Sequence, residues 1–288
     1  MKYLSILFLA LSLAITSCSK NDEPIIRSTK YRIVFIYSEE TTQTFEYNPT
    51  GNITEWHFLE TTSSQTIADA SYDYDADGCS VKINAEESHG DHQKWIFEEV
   101  LYLNQNGAAK SAEGVVGLYR IEDNSLLMKK RYSVAFSYNE LKQLESIQIV
   151  EKRMIDNGED PYPLKWNIDF AWSDNNLIEY REYLTPASPL IVYEYTYYDG
   201  AGADYAPIVQ RPILRAYYTP LQYQGYFGVK PKGLVKTVTV DNNYSTDYSY
   251  NISTNSMVED YYEKSPGGKD TKYTIGWEES GTKSSIYH

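Results

Sequence analysis

Trp166-Asn167-Ile168-Asp169-Phe170-Ala171-Trp172 runs directly into Ser173-Asp174-Asn175-Asn176. Large apolar side chains fill every second position, with Asn, Asp and Ala between them. Successive side chains of a strand point to opposite faces, so this period places Trp166, Ile168, Phe170 and Trp172 on one buried face of a β-strand. Asp and Asn tolerate positive φ and bond their own backbone, so the polar run that follows is a hairpin turn.

The same unit recurs along the chain. Phe45-Glu46-Tyr47-Asn48 precedes Pro49-Thr50-Gly51-Asn52, Tyr72-Asp73-Tyr74-Asp75 precedes Ala76-Asp77-Gly78, and Leu101-Tyr102-Leu103-Asn104 precedes Gln105-Asn106-Gly107. Weaker copies lie at Phe136-Ser137-Tyr138-Asn139, Tyr195-Thr196-Tyr197-Tyr198-Asp199-Gly200 and Tyr248-Ser249-Tyr250-Asn251. Tyr193, Tyr195 and Tyr197 alternate cleanly, as do Tyr273, Ile275 and Trp277. Chained hairpins of this kind predict an all-β fold, an antiparallel β-meander forming a large twisted or curled sheet. Whether that sheet is open, rolled or closed is not decided by the pattern. The 29 tyrosines point the same way, because each ring buries apolar area while its hydroxyl can stay wet.

Two stretches depart from the repeat. Asn139 to Met154 fits a capped helix with Leu141, Leu144 and Ile147 on one face, but Ile147 and Ile149 also alternate, and the hairpin context favours a strand. Between Gly200 and Leu234, Pro207, Pro212, Pro220 and Pro231 exclude a central strand. A connection this long without regular structure is usually either functional or wrongly read as irregular. Its rings, Tyr217, Tyr218, Tyr223, Tyr226 and Phe227, are the candidate ligand-binding residues, suited to stacking on sugars or on a partner's apolar patch. The competing reading makes them a cap over one end of the sheet.

At the other extreme of the chain, Met1-Lys2 and the apolar run Leu4 to Ile15 form a signal-peptide pattern too short to span a bilayer. Ile15-Thr16-Ser17-Cys18 resembles a lipobox, which implies cleavage before Cys18 and its lipidation. Several acyl chains at about 0.8 kcal/mol per buried methylene would tether the chain to a membrane without a transmembrane helix. The expected organisation is a signal peptide over residues 1–17, a lipidated flexible tether over 18–30 and a single all-β repeat domain over 31–288. Ser19 to Pro24, with Lys20, Asp22 and Glu23, resembles the tract that routes such lipoproteins to the cell surface.

With 26 basic and 40 acidic residues the chain carries a charge of −14, and losing Lys2 with the leader makes it −15. Nucleic acid is thereby excluded as a partner, since phosphate binding needs a basic stripe. Cys79 alone remains after lipidation of Cys18, so neither a disulfide within the chain nor a cysteine zinc site is expected. Asp73-Tyr74-Asp75-Ala76-Asp77-Gly78 imitates half of a calcium loop, but Asn84 stands where that loop needs a bidentate Glu, so it reads as a turn. His89-Gly90-Asp91-His92 reads as a solvated hairpin tip. No metal and no cofactor is expected. With no G-x-S-x-G elbow and only His57, His89, His92 and His288 available, the expected protein is not an enzyme.

The tyrosine hairpins look like the YD-type hairpins of Rhs and teneurin shells. More closely, with the segment Gly225-Tyr226-Phe227-Gly228-Val229-Lys230-Pro231-Lys232-Gly233-Leu234, the region from Tyr31 to His288 resembles a Bacteroidota surface-lipoprotein family built on a domain of unknown function. That resemblance implies an all-β fold in the cell envelope and no particular activity. The expected function is a non-catalytic outer-membrane or cell-surface lipoprotein, membrane-bound through its lipid, that binds a glycan or an envelope protein. The alternatives are a structural component of an envelope complex and, less favoured, a hydrolase using paired carboxylates.

Overall fold

The computed structural model describes residues 31–62, 65–90, 92–155, 158–185, 188–200, 205–207 and 214–280. The leader, the tether and Cys18 lie outside the described residues. Seventeen strands follow one another: β1 Tyr31–Tyr37, β2 Thr41–Tyr47, β3 Ile53–Glu60, β4 Thr66–Tyr74, β5 Ser80–His89, β6 Gln93–Leu103, β7 Ala109–Arg120, β8 Leu126–Tyr138 and β9 Leu144–Ile155. The two-residue β10 Gly158–Glu159 comes next, then β11 Leu164–Ser173, β12 Asn176–Thr185, β13 Ser188–Tyr197, β14 Val235–Val240, β15 Tyr244–Ile252, β16 Val258–Lys264 and β17 Thr271–Glu279.

All strand pairings are antiparallel between chain neighbours, except that β9 passes over β10 to pair with β11, and β17 pairs with β1. The β17–β1 ladder, from Tyr31 opposite Glu279 to Tyr37 opposite Thr274, closes sixteen strands into a ring. The expected all-β antiparallel meander is present, and its sheet is a closed barrel rather than an open twisted or curled one. Closure removes the two bare edges that an open sheet of this size would expose.

Asn139 resolves the ambiguous stretch. Its side-chain oxygen accepts the N–H groups of Leu141 and Gln143, which fixes a turn, and Leu144 to Ile155 continues as β9 with Ile147 opposite Phe136. Asn48 and Asn104 hold the turns at 48–52 and 104–108 in the same way. Asp75 does so at 75–79, accepting from the Cys79 N–H and the Ser80 hydroxyl, so its carboxylate belongs to a turn as the sequence suggests.

Alternation sorts the wall into two faces. Trp56, Ala70, Ile83, Phe97, Val134, Ile149, Ile168, Tyr180, Tyr195 and Ile275 turn inward and are buried. The outer face at mid-height carries Glu98, Glu113, Arg131, Arg181, Glu194 and Asp247. The barrel is therefore apolar inside and charged outside.

One end of the barrel holds the start of β1, the end of β17 and the long 198–234 connection; we call it the near end. The far end holds the β5–β6, β7–β8, β9–β11 and β12–β13 junctions.

Candidate functional site: the plugged lumen and the far mouth

A sixteen-stranded barrel is too wide for side chains from its wall to meet across the middle. Here the connection between β13 and β14 sends residues 214–227 into the lumen, which they fill. It carries a 3-10 turn Ala216–Tyr218 and a one-turn helix Thr219–Tyr223 (α1), with Pro220 in the first turn where its missing N–H costs nothing. Around the near end the plug is stitched to successive hairpin turns. Gln224 accepts from the Ile53 N–H and donates to the Gly51 carbonyl, and the Ala109 N–H donates to the Tyr226 carbonyl at 2.7 Å. The Val229 N–H donates to the Lys142 carbonyl, the Gly233 N–H to the Asn176 side chain, and the Val258 N–H to the Tyr205 carbonyl.

The five sequence-predicted binding residues lie in this plug. Tyr217, Tyr218 and Tyr226 are fully buried, Phe227 is nearly so, and Tyr223 packs against Phe45. Their partners are lumen rings: Phe97 for Tyr217, Phe136 for Tyr218 and Phe227, and Tyr74 for Tyr226. Burial leaves these four rings unable to stack on an external ligand in this packing; they fill the barrel instead.

Beneath them sits a carboxylate that composition did not single out. Glu99 of β6 is buried and accepts three phenols: Tyr218 at 2.6 Å on Oε1, and Tyr132 at 2.7 Å and Tyr217 at 3.1 Å on Oε2. Burial pushes its pKa upward, and the three phenols and nearby Arg215 oppose the rise without cancelling it. The Tyr72 hydroxyl adds a 2.7 Å bond to the Tyr217 carbonyl. The only sequence signal for this node was Glu at a position where alternation demands an apolar residue between Phe97 and Leu101.

Toward the far end the lumen changes character. Arg215 pairs with Glu151 at 3.2 Å and covers the faces of Phe97 and Tyr132, while Lys130 binds Glu151 from the opposite side at 2.9 Å. Lys130 also lies 6.0 Å from the Trp95 ring. Glu87 accepts the Ala216 N–H, and burial raises its pKa against the pull of Arg215. Three buried polar atoms in the far half of the lumen, Glu87 Oε1, Trp166 Nε1 and Arg215 Nε, have no hydrogen-bond partner among the described residues. Buried polar groups are nearly always paired, so each such atom marks a place for water or ligand. Around this mouth the strand tips expose Ile121, Leu126, Leu127, Ile155, Tyr162, Leu164, Leu184 and Leu190. His92 borders it, exposed, with its Nδ1 3.8 Å from Glu122.

Among solved structures the chain is similar to a porin-like protein from Bacteroides uniformis, at 16% identity and a TM-score of 0.49, covering 85% of this chain and 96% of that one. A porin-like protein from Bacteroides vulgatus aligns at 9% identity and a TM-score of 0.42, covering 85% and 97%. No protein-family model matches the sequence, and no curated protein matches it.

Proposed function

We propose that this is a non-catalytic, lipid-tethered envelope protein whose barrel stands in water and binds a glycan at its far mouth. The observation that carries this is a far-end lumen whose wall includes the partly buried Trp95 and Trp166 and in which Glu87 Oε1 and Arg215 Nε have no hydrogen-bond partner among the described residues. Sugars offer apolar ring faces for stacking and hydroxyls that both donate and accept, which suits that mixture.

The wall argues against a pore. A membrane-spanning barrel turns an apolar band outward and keeps a polar interior, and an Arg on its lipid face at mid-depth costs about 2–4 kcal/mol. This barrel reverses both faces and fills its own lumen. Anchoring would come from a lipid on Cys18, and the first described residue, Tyr31, opens β1 at the near end, opposite the far mouth.

Screening of the mature chain on a glycan array, followed by isothermal titration of the hits, tests the reading. Glu87→Gln should abolish binding at unchanged melting temperature, and Trp166→Phe, which keeps a packed ring and loses the Nε1 donor, should weaken it. Binding that survives both substitutions, or an array without hits, removes the glycan assignment. The exposed aliphatic rim at the same end favours a second reading, docking of an envelope protein, which crosslinking in cells would reveal.

A further inference from the structure

We propose that the outer wall of β2 and β3 carries a divalent transition-metal site, zinc by its ligand set, built from Glu46, Glu55 and His57. Glu46 stands directly opposite Glu55 in the ladder, and His57 lies two residues further on the same outward face. Their ligand atoms all fall within 4.8 Å of one another. Like charges directly opposite one another on neighbouring strands destabilise a sheet. Among the described residues, no Lys or Arg forms an ion pair with either glutamate; the contact made is His57 Nε2 to Glu55 Oε2 at 3.5 Å.

The imidazole supplies the second, independent observation. Its Nδ1 lies 2.8 Å from Asp69 Oδ1, on the neighbouring strand β4 and opposite His57 in register. A carboxylate can only accept, so this bond places a proton on Nδ1 and turns Nε2 toward Glu55 as the nitrogen available to a metal. Nε2 then faces Glu55 Oε2 at 3.5 Å, a separation that either a proton on Nε2 or a metal ion between the two atoms accommodates. Carboxylate, imidazole and metal in line is the arrangement by which second-shell groups orient zinc-binding histidines.

The geometry fits. Zinc bonds of about 2.0–2.2 Å in a tetrahedron put neighbouring ligand atoms about 3.3–3.6 Å apart, which contains the observed 3.5 Å separation. Both glutamates are exposed and can close the remaining distance by rotation. One nitrogen and two oxygens favour zinc over calcium or magnesium, which take oxygen-only sets. Three protein ligands leave a fourth position for water or for a donor from a bound partner.

The test is isothermal titration of the chelator-treated mature chain with zinc chloride at neutral pH, repeated with cobalt to read tetrahedral ligand-field bands. One equivalent should bind. His57→Ala should abolish binding, Glu46→Gln should weaken it, and Asp69→Asn should weaken it about 10- to 100-fold. His92→Ala, in the exposed far-end tip, should leave it unchanged. All four positions are at the surface, so circular dichroism should report an intact barrel throughout. Absence of binding in the wild type would instead mean that a proton on Nε2 bridges the imidazole and the carboxylates, and the proposal fails. It fails equally if a full equivalent survives in His57→Ala or is lost in His92→Ala.

Discussion

Replacing Tyr218 with Phe isolates the contribution of the Glu99 node to locking the plug. The ring and its packing on Phe136 and Phe227 are kept, and the single loss is the 2.6 Å hydrogen bond to Glu99 Oε1. Both partners are buried, so water cannot take over the role of the missing hydroxyl. A hydrogen bond to a charged group contributes about 1.5–3 kcal/mol. For a chain of this size 1 kcal/mol moves the melting temperature by about 2–4 °C, so the expected drop is about 3–12 °C.

The pH dependence separates this account from generic loss of packing. Burial already holds the Glu99 pKa above its usual 4.5, and Tyr218 is the strongest of the groups opposing that rise. Removing Tyr218 lets the folded-state pKa climb further. A carboxyl with a raised folded pKa contributes stability that is complete below the unfolded pKa and is lost as pH rises through the folded one. The deficit of Tyr218→Phe should therefore be smallest near pH 4 and grow toward pH 8. Melting curves of both proteins at matched pH cancel the shared effect of net charge. A deficit that stays constant across that range, or stays below about 0.5 kcal/mol at pH 8, would refute the node as a clasp.

Gly228 has φ +84°, and a Cβ there would lie 2.3 Å from the Lys142 carbonyl oxygen. Gly228→Ala should therefore cost more than about 3 kcal/mol in denaturant unfolding, whereas Gly267→Ala, at φ +72° in open space, should cost about 1 kcal/mol. Asp75→Ala removes the bonds from Cys79 and Ser80 and should cost about 0.5–1.5 kcal/mol at neutral pH. Burial acts to raise the Asp75 pKa, but the Ser80, Cys79 and Gly78 donors outweigh it and hold it below the usual 3.8, so that cost should fade as pH drops through the folded value. The polypeptide from residue 19 onward should be monodisperse by light scattering without detergent, and a requirement for detergent would overturn the water-exposed wall.

Local chemistry made the strands legible. Ile168 and Phe170 point inward as their alternation predicts, and Asn48, Asn104 and Asn139 hold the turns that their spacing marks. Closure was not legible, because it depends on Ile36 meeting Ile275 from opposite ends of the chain, and a period of two says nothing about which strands pair at that distance. The plug shows the same limit. Pro and Gly announce an irregular segment between Gly200 and Leu234, but only the ring's diameter determines that its tyrosines go inside. The metal-site proposal rests on register as well, since Glu46 and Glu55 are nine residues apart in sequence and become opposite only across the β2–β3 ladder.

The tyrosine content follows from that diameter. Leucine or valine would fill the shell just inside the wall and leave the middle unpacked, whereas a phenol reaches farther and can end on a backbone carbonyl. Tyr47 donates to the Ile33 carbonyl, Tyr138 to Ala109, Tyr197 to Leu177 and Tyr198 to Tyr248, each bond reaching from one strand or connection to another. A wide barrel with a folded-in plug thus gains cross-links that a purely aliphatic interior could not make. Many rings that read from sequence as a sticky surface are therefore occupied in holding the barrel together. The two proposed recognition surfaces are the ones with unspent polar chemistry: the far-end lumen, where Glu87 and Arg215 lie, and the outer wall at His57.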